Sequence, residues 1–218
     1  RAGRAVLQAP PGAGKTTRVP LALLEAGAVQ GRILMLEPRR LAARAAAERM
    51  AQTLGEGVGQ TIGYRMRGDS KTGPSTRIEV VTEGILTRMI QDAPDLPEIG
   101  AIIFDEFHER SLNADLGLAL SWELRGALRP DLKILVMSAT LDAAPVAALL
   151  DDAPLVTSAG QAFEVVTHHL PAPLPKETRL ERAMADLILQ ALHETEGGIL
   201  AFLPGQGEIA RTTALLDF

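Results

Sequence analysis

Ala9-Pro10-Pro11-Gly12-Ala13-Gly14-Lys15-Thr16-Thr17 lies between a short apolar run, Ala5-Val6-Leu7, and the segment Val19-Pro20-Leu21-Ala22-Leu23-Leu24. The first flank reads as a strand and the second as a helix ended by Gly27, so the stretch between them turns strand into helix. Glycines at 12 and 14 let that turn curl until successive N–H groups point at one anion, and the helix adds the positive end of its dipole. Lys15 would then reach the β- and γ-phosphates of ATP, and the Thr16 hydroxyl would hold Mg²⁺. Gly12, Ala13, Gly14, Lys15, Thr16 and Thr17 are therefore the expected nucleotide-binding residues. Ala9 stands where the G-x-x-x-x-G-K-[ST] pattern has its first glycine, which alanine can replace if its φ stays negative. The competing reading, an ordinary glycine-rich turn, does not account for Gly-Lys-Thr in phase between a strand and a helix.

At 218 residues with 46% apolar content, the chain can build a substantial core and has room for one full domain and part of another. No apolar run reaches membrane-spanning length and no basic-then-apolar leader opens the sequence, so the expected compartment is the cytoplasm. With no cysteine, disulfides and thiolate metal sites are excluded, and four scattered histidines make no zinc cluster. The net charge of −5 hides an asymmetry: residues 1–90 carry 14 Lys/Arg against 7 Asp/Glu, whereas residues 91–218 carry 8 against 20. A basic first part suits a phosphate-rich partner, and it is equally what an Arg-rich solvated surface looks like.

Strand-like apolar runs at 5–8, 33–36, 77–82, 101–104, 134–137 and 155–156 alternate with helical stretches at 41–53, 83–92, 114–127 and 143–150. Runs that are apolar on both faces, spaced by helices, predict a mostly parallel sheet sandwiched between helices, a RecA-like α/β domain over residues 1–160. Trp122 sits at helical spacing with Leu118 and is expected in the core. Residues 161–178, with Pro171-Ala172-Pro173-Leu174-Pro175, read as a stiff connector. His168 and His169 fall on it as surface or strand residues. Beyond, 180–193 reads as an amphipathic helix, Ile199-Leu200-Ala201-Phe202-Leu203 as a buried strand and 207–216 as the next helix. Residues 179–218 are thus expected to begin a second, truncated domain.

The run Ala101-Ile102-Ile103-Phe104 ends abruptly in Asp105-Glu106-Phe107-His108. Ligands of parallel sheets bind beyond the C-terminal ends of the strands. Asp105 would hold Mg²⁺ through its water shell, and Glu106 would orient and deprotonate the water that attacks the γ-phosphate. The next strand ends in Ser138-Ala139-Thr140, whose hydroxyls can bond to the acids and to His108 and so couple the nucleotide to movement of the next domain.

Taken together, these motifs resemble the DEAH/RHA group of superfamily 2 helicases. The run Asp105-Glu106-Phe107-His108-Glu109-Arg110-Ser111-Leu112-Asn113-Ala114-Asp115 is similar to the bacterial HrpB type. The resemblance implies motif I at 12–17, motif Ia at Pro38-Arg39-Arg40, motif Ib at Thr82-Glu83-Gly84, motif II at 105–108, motif III at 138–140 and motif IV within 199–208, in the family's order. It also implies that Pro38, Arg39, Arg40, Thr82, Glu83 and Gly84 face single-stranded RNA, with DNA possible, since loops at strand ends can offer N–H groups and hydroxyls to phosphates without reading bases. Arg39 and Arg40 can equally be salt-bridged surface residues. An arginine on the helix after motif Ia stacks on adenine in this group; Arg49 is the candidate, with Arg44 beside it. The expected catalytic set is Lys15, Asp105, Glu106 and His108. The family's motifs V and VI, with the arginine finger, lie further along, so residues 1–218 are expected to bind nucleotide better than they hydrolyse it. Two readings compete with an RNA-stimulated ATPase: a DNA translocase, and a P-loop switch module that does not unwind.

Overall fold

The apolar runs that alternate with helices in the sequence become neighbouring strands of one sheet. The computed structural model describes residues 2–139, 143–160, 164–175 and 177–216, and its backbone separates into two units, 1–162 and 163–218. In the first unit the order is β1 (Arg4–Gln8), α1 (Lys15–Glu25), β2 (Arg32–Leu36), α2 (Arg40–Thr53), β3 (Ile62–Met66), β4 (Asp69–Lys71), β5 (Ile78–Val81) and α3 (Glu83–Asp92). It continues with β6 (Ile99–Phe104), α4 (Leu112–Ala127), β7 (Lys133–Ser138), α5 (Ala144–Leu149) and β8 (Leu155–Thr157). The sheet runs β4-β3-β5-β2-β6-β7-β1-β8, and every pairing is parallel except the β3–β4 hairpin. This is the expected RecA-like α/β sandwich.

Side chains within each strand alternate between two apolar layers. Ile33, Met35, Ile103 and Met137 pack with Leu21 of α1 and Ala43, Ala47 and Met50 of α2. Leu34, Leu36, Ile102, Phe104 and Val136 pack on the other face with Leu86 of α3, Leu118 of α4 and Val146 of α5. Because both faces are covered, the strands read as continuous apolar runs without polar alternation. Alanines along α2 let it lie close to the sheet, which gives its Ala-rich sequence a packing role beyond propensity.

A charge sits within this core. Glu79, in the middle of β5, is fully buried, and Arg32 donates to its Oε2 at 2.7 Å. Arg65 Nε lies 2.7 Å from Oε1 but outside hydrogen-bond geometry, so the second contact is Coulombic. A buried carboxylate is tolerable only when paired in this way.

The hairpin of β3 and β4 is absent from the sequence expectations. Its signal was present: Ile62, Tyr64 and Met66 alternate with Gly63, Arg65 and Arg67, and Gly68, at φ +78°, closes the turn. Trp122 is also less buried than expected: it lies half-buried at the edge of the core, with the guanidinium groups of Arg4 and Arg125 over its ring at 5.8 and 5.5 Å.

In the second unit, α6 (Leu180–Glu194) and α7 (Gln206–Leu216) are tied by Arg211, whose guanidinium donates to Glu181 and to Glu208 at 2.6 Å each. The expected buried strand at 199–203 is corrected here. Those residues lie in no ladder, and Leu200 and Phe202 are 78% and 81% exposed. A strand forms only against another strand, and no other strand is described in this unit. Residues 171–175 carry no regular structure and are exposed, as are His168 and His169. No helix among the described residues is long and apolar enough to cross a membrane.

Candidate nucleotide and nucleic-acid site

Five adjacent parallel strands, β5-β2-β6-β7-β1, end on one edge of the sheet, and each is followed by one of the singled-out motifs. Thr82, Glu83 and Gly84 follow β5; Pro38, Arg39 and Arg40 follow β2; Asp105 to His108 follow β6; Ser138 ends β7; the phosphate loop follows β1. Neighbouring strands lie about 4.8 Å apart. The two motifs assigned to nucleic acid therefore sit side by side, as do the acids, the coupling motif and the phosphate loop, and the acids stand at the boundary.

The phosphate loop has the backbone its sequence requires. Gly12 and Gly14 take φ of 79° and 76°, and Gly14 caps α1, so the loop reverses direction immediately before the unpaired N–H groups of the first helical turn. Ala9 keeps a negative φ, is buried, and donates its N–H to the Ser138 carbonyl at 3.0 Å, which fixes the loop's start to the end of β7. The segment after β8 closes on the other side: Ser158 N–H donates to Gln8 O at 2.9 Å, and a Cβ on Gly160 would come within 2.5 Å of Pro10 Cγ. Gly160 was not singled out in the sequence, since its role depends on β8 lying beside β1.

Lys15 is 6% exposed, and its ammonium donates to Glu106 Oε1 at 3.1 Å. Asp105 is buried beside it. The Glu106 N–H donates to Asp105 Oδ1 at 2.9 Å, while Oδ2 has no hydrogen-bond partner among the described atoms. Burial raises the Asp105 pKa above the ordinary carboxylate range, and the neighbouring Thr16 hydroxyl, the Glu106 N–H and the Lys15 ammonium oppose the rise. A buried, orphaned carboxylate oxygen next to a threonine hydroxyl is the donor set a hydrated Mg²⁺ takes. The residues fit Mg²⁺–ATP.

Glu106 is held at φ +48°, a left-handed conformation that is uncommon outside glycine and that aims its carboxylate back at Lys15. Its other oxygen lies 3.3 Å from His108 Nδ1, which also meets the Ala139 N–H at 3.4 Å. That nitrogen can accept from Ala139 or, when protonated, donate to Glu106, but not both at once. His108 thus joins the acids to the end of β7. Ser138 is buried there, and Thr140 lies outside the described residues.

Glu37 belongs to this site and was not singled out from the sequence. It directly follows β2 at 3% exposure, and burial pushes its carboxyl up to about 7, reinforced by the negative charges of Asp105, Glu106 and Glu109 and opposed by the Arg39 N–H. The signal was the one used for Asp105, an apolar strand ending in an acid. The neutral acid is the preferred folded form, so its stabilising contribution is complete below about 4.5 and is lost as pH rises through about 7. Glu37→Gln cannot ionise. In Mg²⁺-free buffer it should match the wild type at pH 4.5 and exceed it by on the order of 3 kcal/mol at pH 8. Urea denaturation at the two pH values checks this, and an equal gain at both would refute it.

On the nucleic-acid half, Arg39 and Arg40 are exposed, Pro38, Thr82 and Glu83 are partly so, and a Cβ on Gly84 would meet nothing within 4 Å. Arg39 is salt-bridged to Glu109, and Glu83 accepts a hydrogen bond from the Ser111 hydroxyl, so the salt-bridged reading of Arg39 holds in this state. Arg49 is exposed on α2, the helix beside α1, and donates to Gln52 at 3.0 Å. Arg44 pairs with Glu48 at 2.9 Å and lies over the Tyr64 ring.

The DEAD/DEAH box helicase family matches residues 2–149. The chain belongs to this family. The helicase similarity extends past that match: the chain is 51% identical over 210 residues to the ATP-dependent RNA helicase HrpB of Escherichia coli K12, covering 96% of this chain and 26% of that protein. It is 36% identical over 209 residues to the probable ATP-dependent RNA helicase DHR2 of Saccharomyces cerevisiae, covering 94% of this chain and 28% of that one. The crystal structure of the Escherichia coli DEAH/RHA helicase HrpB superposes with a TM-score of 0.86 at 51% identity, over 99% of this chain and 27% of that chain. Among helicases the chain therefore falls with the DEAH/RHA group, as its motifs implied. It spans about a quarter of the length of the relatives it matches.

Proposed function

We propose that this chain is the nucleotide-binding part of an ATP-dependent RNA helicase that couples Mg²⁺–ATP hydrolysis to movement on, or remodelling of, single-stranded RNA in the cytoplasm. The observation that carries the reading is the row of strand ends, which sets the nucleotide motifs beside the nucleic-acid motifs with the acids at the boundary. Residues 12–17 supply the amides that cradle the phosphates, and Lys15 leaves Glu106 to meet the β- and γ-oxygens. Mg²⁺, when bound, neutralises charge on those oxygens, and Thr16 and Asp105 would hold it. Glu106, released from Lys15, becomes the base that accepts a proton from the attacking water. Ser138, Thr140 and His108 carry the state of that site to β7. Arg49 serves the adenine.

Residues 179–218 are proposed to open a second RecA-like domain, 161–178 being the connector; in support, similarity to the RNA helicases continues beyond the family match that ends at 149. Because hydrolysis in this reading needs charge from both domains, residues 1–218 should bind nucleotide with little RNA-stimulated turnover. The deciding experiment compares ATPase stimulation of the full-length protein by single-stranded RNA and DNA. Stimulation by RNA alone is expected. Stimulation by DNA alone would make it a DNA translocase, and stimulation by neither a nucleotide-dependent switch.

A further inference from the structure

The segment after the acids is tied to both nucleic-acid motifs. It starts at Glu106, makes one 3₁₀ turn over Phe107–Glu109, reverses at Arg110 with φ +52°, and ends at Ser111, the N-cap of α4, which accepts the Ala114 N–H at 2.9 Å. From this segment Glu109 reaches across to Arg39 after β2, and Ser111 reaches to Glu83 after β5. Arg110 is fixed in turn by a fork to both Asp115 oxygens at 3.2 and 3.1 Å. Two uncommon left-handed residues thus bracket a short turn, and the segment they shape touches both loops assigned to RNA, through Glu109 and Ser111.

A carboxylate and a phosphodiester present the same kind of acceptor to a guanidinium fork, so one arginine cannot serve both fully at once. We propose that Glu109 is an internal competitor of RNA: its carboxylate occupies Arg39, and an RNA phosphate must displace it to bind. This rests on the assignment of Arg39 to the RNA face. Glu109 is a positioning residue that acts through Arg39. Because it shares a one-turn segment with Glu106, the competition sits next to the group that changes partner when ATP arrives.

The Arg39 side chain is 71% exposed and that of Glu109 31%, and ion pairs this open are worth at most about 1 kcal/mol. The expected effect is therefore about a twofold to fivefold change in RNA affinity. Anisotropy of a fluorescent single-stranded oligouridylate, titrated with the full-length protein without nucleotide at low fixed salt, reads it. Glu109→Gln should tighten binding by that factor, Arg39→Ala should weaken it, and Arg39→Ala/Glu109→Gln should match Arg39→Ala alone. Thermal melting of Glu109→Gln should move by no more than the loss of this one exposed pair allows, and its ATP affinity should equal that of the wild type, which separates the effect from a structural one.

Tightening that persists without Arg39 would mean that Glu109 acts on RNA merely as a nearby negative charge, and the competition is overturned. Unchanged or weakened binding in Glu109→Gln, with Arg39→Ala still weakening, overturns the competition and leaves the RNA reading standing. If Arg39→Ala has no effect, both fall.

Discussion

Glu106→Gln is expected to cut RNA-stimulated ATP turnover of the full-length protein by roughly 10²–10⁴-fold, the range for loss of a general base. Glutamine keeps the shape and can stay in the left-handed position that aims the side chain at Lys15, but it cannot take a proton from water. Nucleotide affinity should stay within a few-fold and move toward tighter binding, because Lys15 no longer has a carboxylate at 3.1 Å to leave. Single-turnover phosphate release and equilibrium binding of an ATP analogue together read the two effects. Turnover near that of the wild type would assign the base to another residue, and Glu37 would be the next to test.

Lys15→Ala is expected to weaken Mg²⁺–ATP binding by roughly 30-fold to a few thousand-fold, since truncating one partner of a buried charged contact costs on the order of 2–5 kcal/mol. Lys15 lies at the first position of α1, where a shorter side chain leaves the apolar layers untouched, so the fold should persist. Its removal also strips Glu106 of its ammonium partner and leaves that carboxylate facing His108 alone. Calorimetric titration of the 218-residue chain with a non-hydrolysable ATP analogue is the measurement. Unchanged affinity would remove the phosphate-loop assignment itself.

The sheet was legible where its strands are buried on both faces, because such strands carry unbroken apolar runs: 33–36, 101–104 and 134–137 all lie inside observed strands. The hairpin of β3 and β4 was harder to read because its apolar residues alternate with glycine and arginine at the sheet edge, a weaker signal than a run. The strand at 199–203 was misread for the opposite reason. Its residues have the right composition, but a ladder is a relation between two segments, and composition describes one.

The site divides along the same line. Gly12, Gly14, Lys15, Asp105 and Glu106 were readable because their types and spacing follow from the chemistry of phosphate and Mg²⁺. Glu37, Glu109 and Gly160 were not, because each acquires its role from a neighbour 50 to 150 positions away in sequence, brought close by strand order. A polar residue at a strand end is common, and only the sheet order shows which ends lie together.

The unpaired run at 199–203 has a consequence for how this chain behaves in a test tube. Leu200 and Phe202 are exposed on a backbone whose N–H and C=O groups are not taken up by a ladder among the described residues, which is the template on which chains stack edge to edge. At millimolar concentration, solubility will therefore fail before folding does, and light scattering should rise at temperatures where the sheet of residues 1–162 is still intact. Phe202→Glu places a repelling charge on every edge and should clear the solution without moving the melting temperature of that sheet.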